Sequence, residues 1–173
     1  MGELLAREGV AGPLAVLVPG TIWPTKHWPV EGFAQVARHL VGTGRAVALA
    51  GSPAERDRCR AVAALCPEAR DLSGQTTLSE LAALIRRAAV CVTNDSGSMH
   101  LAVALGRPVV SVFGPTDPVW IGPYGRPDAI VKVDLSCAPC YLRKVRRCPN
   151  DHACMTQVSG AMVIDRVEKT LAA

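Results

Sequence analysis

Short apolar runs alternate along this chain with longer stretches in which apolar positions recur every three or four residues. Residues Leu14–Val18, 46–50, 90–93 and 109–113 are near-continuous runs dominated by Val, Ala and Leu. Each has the length of a strand. Weaker runs at 69–72 and 129–133 add two more. Between them lie helical patterns. Residues 29–41 place Val30, Phe33, Ala37, Leu40 and Val41 on one face. Ser52, Pro53 and Glu55 form a capping box that opens a second helix. Thr77 and Glu80 form another, and its helix is expected to turn Leu78, Leu81, Leu84 and Ile85 inward. Residues 96–105 give a further helix, and Val163, Ile164, Val167 and Leu171 mark a final one over about 160–171. Strands that do not alternate polar with apolar are buried on both faces. The pattern therefore predicts a doubly wound α/β domain with a parallel sheet.

In such sheets ligands bind beyond the carboxyl ends of the strands, where the strand order reverses. The segments to inspect are then 19–28, 51–55, 73–77, 94–100 and 114–124. Composition narrows the classes of function. The 173 residues are 49% hydrophobic and 20% charged, which excludes disorder. Residues 1–173 read as one domain, and a chain of this size can bury a self-sufficient core. No apolar run reaches the ~18 residues of a membrane span. The first ten residues carry Glu3, Arg7 and Glu8 rather than the core of a signal peptide, so the expected location is the cytoplasm. The net charge of +4 favours an anionic ligand without indicating a nucleic acid.

Residues 93–100 carry the strongest signal. Asn94, Asp95, Ser96, Gly97 and His100 join a buried strand to a helix start, where free N–H groups and the helix dipole receive a phosphate. Plain capping by Asp95 or Ser96 is the alternative. The segment after the first strand offers Thr21 and Lys26, either as phosphate partners or as polar residues of a Pro-rich surface loop. Glu55 either caps its turn or binds sugar hydroxyls. Neither GxGxxG nor GxxxxGK[ST] occurs, which argues against dinucleotide dehydrogenases and P-loop nucleotidases.

Four segments, Pro19-Gly20-Thr21 with Lys26-His27-Trp28-Pro29, Gly51-Ser52-Pro53-Ala54-Glu55, Asn94-Asp95-Ser96-Gly97 with Met99-His100, and Phe113-Gly114-Pro115-Thr116-Asp117-Pro118, together resemble glycosyltransferase family 9. These are the ADP-heptose:lipopolysaccharide heptosyltransferases, and the likeness runs from about Leu14 to the end. The resemblance implies a GT-B architecture of two Rossmann-like halves, of which this chain is similar to the C-terminal, nucleotide-sugar-binding half. It implies that Thr21 and Lys26 hold the diphosphate, and that Asp95, Ser96, Gly97 and His100 hold diphosphate and sugar. Glu55 would then meet donor hydroxyls, and the Ser73–Thr76 loop would flank adenine. Family members often have Thr where Ser96 stands, and Ser keeps the hydroxyl. Its general base belongs to the N-terminal half, so no catalytic residue is assigned here.

The implied partners are ADP-heptose, a lipopolysaccharide-core acceptor and an N-terminal half, with at most peripheral contact at the inner face of the inner membrane. No cofactor is implied. Two alternatives stay open, a non-catalytic nucleotide-binding fragment and a GT-B enzyme using a UDP-sugar. Cys59, Cys66 and Cys91 fall in apolar-periodic segments and read as core. Cys137, Cys140, Cys148 and Cys154, in a loop over 137–154, resemble the type II branch. Their spacing fits a zinc site, reduced thiols or a disulfide. Arg143, Lys144, Arg146 and Arg147 in the same loop read as a solvated face, or as a contact for an anionic acceptor or membrane.

Overall fold

The computed structural model describes residues 12–173 together with 2, 6, 9 and 10. Glu3, Arg7 and Glu8, on which the reading of the first ten residues rests, lie outside the described residues. Six parallel strands form one sheet: β1 (Leu14–Val18), β2 (Ala46–Leu49), β3 (Arg70–Asp71), β4 (Ala88–Asn94), β5 (Val109–Val112) and β6 (Ile130–Val131). Their order is β3-β2-β1-β4-β5-β6. The direction of winding thus reverses between β1 and β4, which pair over five residues from Leu14↔Ala88 to Val18↔Thr93.

The helices are α1 (Val30–Gly42), α2 (Arg56–Leu65), α3 (Leu78–Arg87), α4 (Gly97–Ala104), α5 (Pro118–Ile121), α6 (Ala153–Thr156) and α7 (Gly160–Ala172). Side chains on successive strand residues go to opposite faces, and both faces are buried. Ala15 and Leu17 of β1, with Val90 and Val92 of β4, pack under α1, α2 and α7 against Phe33, Val62 and Val163. Leu14, Val16 and Val18, with Cys91, pack on the other side under α3 and α4 against Leu84, Ile85 and Met99. Continuous apolar strands are the consequence of this three-layer arrangement. Cys59, Cys66 and Cys91 are all buried in these cores.

Element ends differ from expectation by small amounts. β3 and β6 are two residues each, because both are edge strands with one neighbour. Leu78 is a correction. It was expected inward but is 75% exposed. It is the first residue of α3, capped by Thr77, and a first-turn residue overhangs the end of the sheet rather than its face.

Candidate functional site

The loop after β1 is clamped at both ends by two side chains. Asn94, fully buried at the end of β4, accepts from the Trp28 N–H at 3.0 Å and donates to the Pro19 carbonyl at 2.8 Å. Arg58 of α2 donates to the same two residues, to Pro19 O at 3.1 Å and Trp28 O at 2.6 Å. Within the loop, His27 Nε2–H donates to the Thr21 carbonyl at 2.8 Å. Burial lowers the His27 pKa, and the nearby Arg58 cation adds to the effect. The Trp28 ring is buried in the core beneath, edge-on to Phe33, with Nε1–H donating to Val158 O at 2.8 Å.

This clamp delivers Thr21 and Lys26 to Asp95, the first residue after β4. Lys26 Nζ lies 2.7 Å from Asp95 Oδ2, with the two side chains 13% and 6% exposed. Thr116, from the loop after β5, donates to the same oxygen at 2.7 Å. The Thr21 hydroxyl donates to the Asp95 carbonyl at 3.0 Å. Asp95 therefore ties together the loops that follow β1, β4 and β5. Sequence reasoning assigned Lys26, Thr21 and Asp95 separately to a ligand. The structure shows them bonded to one another first, with the Lys26 charge compensated by Asp95.

Ser96 is the N-cap of α4 but makes no capping bond, and its buried Oγ has no partner among the described residues. The start of α4 is thus without a side-chain cap for its orphan N–H groups, and Ser96, Gly97 and Ser98 there line the crevice. Gly97 is exposed there. A Cβ built on it would meet nothing within 4 Å, and its φ is not positive. The fold itself does not require glycine at this position. Gly20 differs, since a Cβ there would come within 2.4 Å of the Glu55 carboxyl group. Both readings of Glu55 meet in one geometry. Its Oε2 accepts from the Ser52 N–H at 2.7 Å, and the side chain also lines the crevice.

The crevice has a volume of about 1070 Å³ and brings together Thr21, Lys26, Glu55, Asp95, Ser96, Gly97 and His100. Thr76 does not line it. Leu78, Leu81, Leu101 and Ile121 do, and they give an apolar wall opposite the polar groups. Trp23 lines it too, with Lys26 Nζ and Arg143 Cζ each 4.4 Å from its ring centroid. Thr116, Trp23 and the apolar wall were missed from sequence. The wall was within reach, because the position of Leu78 just after a cap is legible. Such a site offers charge compensation for an anion beside a flat apolar surface for a ring.

Cys137 and Cys140 are exposed, Cys148 is intermediate and Cys154 is buried, all as free thiols. Burial first, then the neighbouring Cys140, Cys148 and Cys137, pushes the Cys154 thiol up to about 11. Among the described residues no group of three or more His, Cys, Asp or Glu side chains is arranged to hold a metal ion. A second cavity, of about 760 Å³, lies between residues 118–132 and α7, away from the strand junction.

Fold and site define a class, a doubly wound α/β domain with a polar and apolar crevice at its switch point. Residues 3–152 match glycosyltransferase family 9 (heptosyltransferase), and the chain belongs to that family. It is 40% identical over 139 residues to lipopolysaccharide heptosyltransferase 1 of Pseudomonas aeruginosa, covering 80% of this chain and 39% of that protein. It is 31% identical over 166 residues to lipooligosaccharide heptosyltransferase 2 of Haemophilus influenzae, covering 92% of this chain and 48% of that one. A solved structure of an E. coli heptosyltransferase with ADP superposes with a TM-score of 0.74 at 27% identity, over 92% of this chain and 45% of that chain. The chain thus spans about half or less of the length of these relatives.

Proposed function

We propose that residues 1–173 form the donor-binding, C-terminal half of a GT-B heptosyltransferase, which takes ADP-heptose and transfers heptose to a hydroxyl of the lipopolysaccharide inner core. One observation carries the reading. The uncapped start of α4, with Ser96 Oγ unpartnered, opens beside Lys26 in a crevice at the β1/β4 reversal. In this reading the diphosphate sits on the α4 N–H groups, Ser96 and Gly97, with Lys26 sharing its charge between Asp95 and a phosphate oxygen. The adenine lies against Leu78 and Leu81. His100 and Glu55 meet donor hydroxyls, Glu55 keeping one oxygen on Ser52.

The chemistry follows from where charge develops. As the acceptor oxygen attacks the anomeric carbon, the bond to the β-phosphate breaks and negative charge grows on the departing ADP. Oriented N–H groups and a fixed cation beside the departing group stabilise that charge. The acceptor's proton goes to a base across the cleft, expected in an N-terminal half. The proposed location is the cytoplasm, at the inner face of the inner membrane. In support, among the described residues no helix is long and apolar enough to cross a membrane.

The test is calorimetry of the chain with ADP and with UDP. Binding of ADP at least tenfold tighter than UDP supports the reading. Preference for UDP would place the chain with UDP-sugar enzymes, and binding of neither would remove the donor site from this crevice. ADP binding without acceptor-dependent turnover, even with an N-terminal half supplied, would leave a non-catalytic nucleotide module.

A further inference from the structure

The charge of this chain is unevenly placed. Nineteen Lys and Arg stand against fifteen Asp and Glu, and four of the cations, Arg143, Lys144, Arg146 and Arg147, fall within five residues. Without them the chain is balanced. All four are exposed, and among the described residues none takes part in an ion pair. The nearest acid in sequence is Asp151.

The segment that carries them is pinned to the carboxyl end of the sheet from two sides. The Cys140 and Tyr141 N–H groups donate to the Pro115 carbonyl at 3.0 and 2.8 Å. The Thr25 hydroxyl donates to Leu142 O, and His152 Nε2–H donates to Thr25 O at 2.6 Å. Tyr141 and His152 have φ of 54° and 60°, a left-handed conformation that a non-glycine residue keeps only where its surroundings enforce it. The backbone is therefore anchored on both sides of the turn, and of the four cations Arg143 has a stacking partner. Arg143 stacks on Trp23, the crevice residue whose ring also meets Lys26. Through Trp23 the 143–147 turn thus adjoins the rim of the donor crevice.

We propose that this turn is a phosphate site on the acceptor side, which receives a phosphate monoester carried by the saccharide that enters beside the donor. The inference rests on the donor reading above, since it takes the crevice as the place of transfer. Four like charges within five residues repel, and a doubly charged phosphate relieves that repulsion. Guanidinium groups match its oxygens in paired hydrogen bonds. A membrane surface fits less well. Apart from the half-exposed Tyr141 and Val145 (46% and 40%), the turn offers no large exposed apolar side chain, and it lacks the amphipathic helix that buries in an interface. A fixed anchor on the crevice rim also suits a ligand that must bring its hydroxyl to the donor, since a few ångströms of misplacement abolish the advantage of positioning.

The test uses the 173-residue chain with trehalose 6-phosphate, trehalose, inorganic phosphate and phosphatidylglycerol vesicles as probes. Amide NMR titration is run with and without saturating ADP. Trehalose 6-phosphate should shift the signals of residues 143–147 and the Trp23 indole, trehalose should not, and inorganic phosphate should bind more weakly than the phosphosugar. Arg146→Gln with Arg147→Gln should weaken trehalose 6-phosphate at least tenfold and leave ADP affinity within twofold. Equal shifts by trehalose, or no shift with the phosphosugar in the millimolar range, overturns the proposal. Vesicle binding that is lost in the double variant, with no response to the phosphosugar, would make the turn a membrane contact and also overturn it. Loss of ADP binding alone would sink the donor reading, whereas ADP binding with a silent phosphosugar sinks only this inference.

Discussion

Lys26 Nζ and Asp95 Oδ2 stand 2.7 Å apart with both side chains largely withdrawn from water, and Thr116 shares the same carboxylate oxygen. The pair links the loop after β1 to the start of α4, so that it is a structural joint and, in the donor reading, a ligand site as well. Removing one member of such a pair leaves the other charge buried without compensation.

Lys26→Ala should therefore act twice. ADP affinity should fall roughly 10- to 100-fold, the worth of a charge-assisted hydrogen bond of about 1.5–3 kcal/mol. Stability should fall as well, because the Asp95 carboxylate keeps Thr116 but loses its cation. Thr116→Val removes one bond to a charged acceptor and should cost about 1.5–3 kcal/mol in urea unfolding, with Thr116→Ser restoring most of it. Unchanged ADP binding in calorimetry of Lys26→Ala would take Lys26 out of the site.

Gly97 separates fold from ligand. Its φ is ordinary and the space around its missing Cβ is empty, and it begins α4. Gly97→Ala should leave the melting temperature unchanged or raise it, with a gain of about 0.4–1 kcal/mol from the unfolded chain. ADP affinity should drop roughly tenfold or more, since a methyl group would stand where a phosphate approaches the backbone. Equal affinity in the two proteins would mean that the diphosphate does not reach this helix start.

What could be read from the sequence, and what could not, follows from the range of the interactions. Strands buried on both faces announce themselves as unbroken apolar runs, so β1, β2, β4 and β5 were legible, and with them the loops that form the crevice. Ser96 and Gly97 were legible because a strand, a small polar residue and a helix stand next to one another in the chain. Thr116 was not, since it lies 21 residues from Asp95, and a pattern that brings two loops to one end of a sheet does not tell which side chains bond across them. The stack of Arg143 on Trp23 depends on a fold-back of the cysteine-rich segment that no periodicity encodes. Leu78 misled because a helical pattern gives the inward face but not where the layer beneath it ends.

His27 gives the loop a pH dependence. Burial lowers its pKa below the ordinary value, and its Nε2–H bond to Thr21 O opposes that shift only in part. The neutral ring is thus favoured in the folded state. Its contribution to stability is complete above the unfolded value of about 6.5 and is lost as pH falls from there through the lower folded value. Urea unfolding between pH 8 and pH 5 should show stability declining on the acid side. His27→Gln, which keeps a donor for Thr21 O, should flatten that part of the curve. An identical slope in the variant would show that His27 is not the group responsible.

The thiols should divide by burial. Cys59 and Cys91, raised to about 12 by burial, and the buried Cys66 should resist a thiol reagent at pH 8 until the protein unfolds. Cys137 and Cys140 are exposed and should react at once, with Cys148 slower and Cys154 slower still. Protection of all four C-terminal thiols in protein purified without chelator, relieved by a chelator, would reveal a bound metal.

Catalysis by these 173 residues alone is expected to fail for a geometric reason. General-base catalysis needs a group within hydrogen-bond reach of the acceptor hydroxyl. The carboxylates that line the crevice are Glu55 and Asp95. Asp95 Oδ2 is held by Lys26 and Thr116, and Glu55 Oε2 by the Ser52 N–H. Asp117, beyond the rim, accepts from the Val119 N–H at 2.9 Å. Each has one oxygen engaged by its own wall, and in the donor reading Asp95 stands on the diphosphate side rather than across from it. Loss of a base costs about 10²–10⁴-fold, and unpositioned acceptor forfeits a further ~7–11 kcal/mol of barrier. ADP release from ADP-heptose with a core acceptor should therefore stay at the uncatalysed background for this chain, and rise when an N-terminal half of a relative is co-expressed. Acceptor-dependent turnover near 1 s⁻¹, a common order for enzymes, by the chain alone would place the base among its own residues, with Glu55 the first to substitute by Gln.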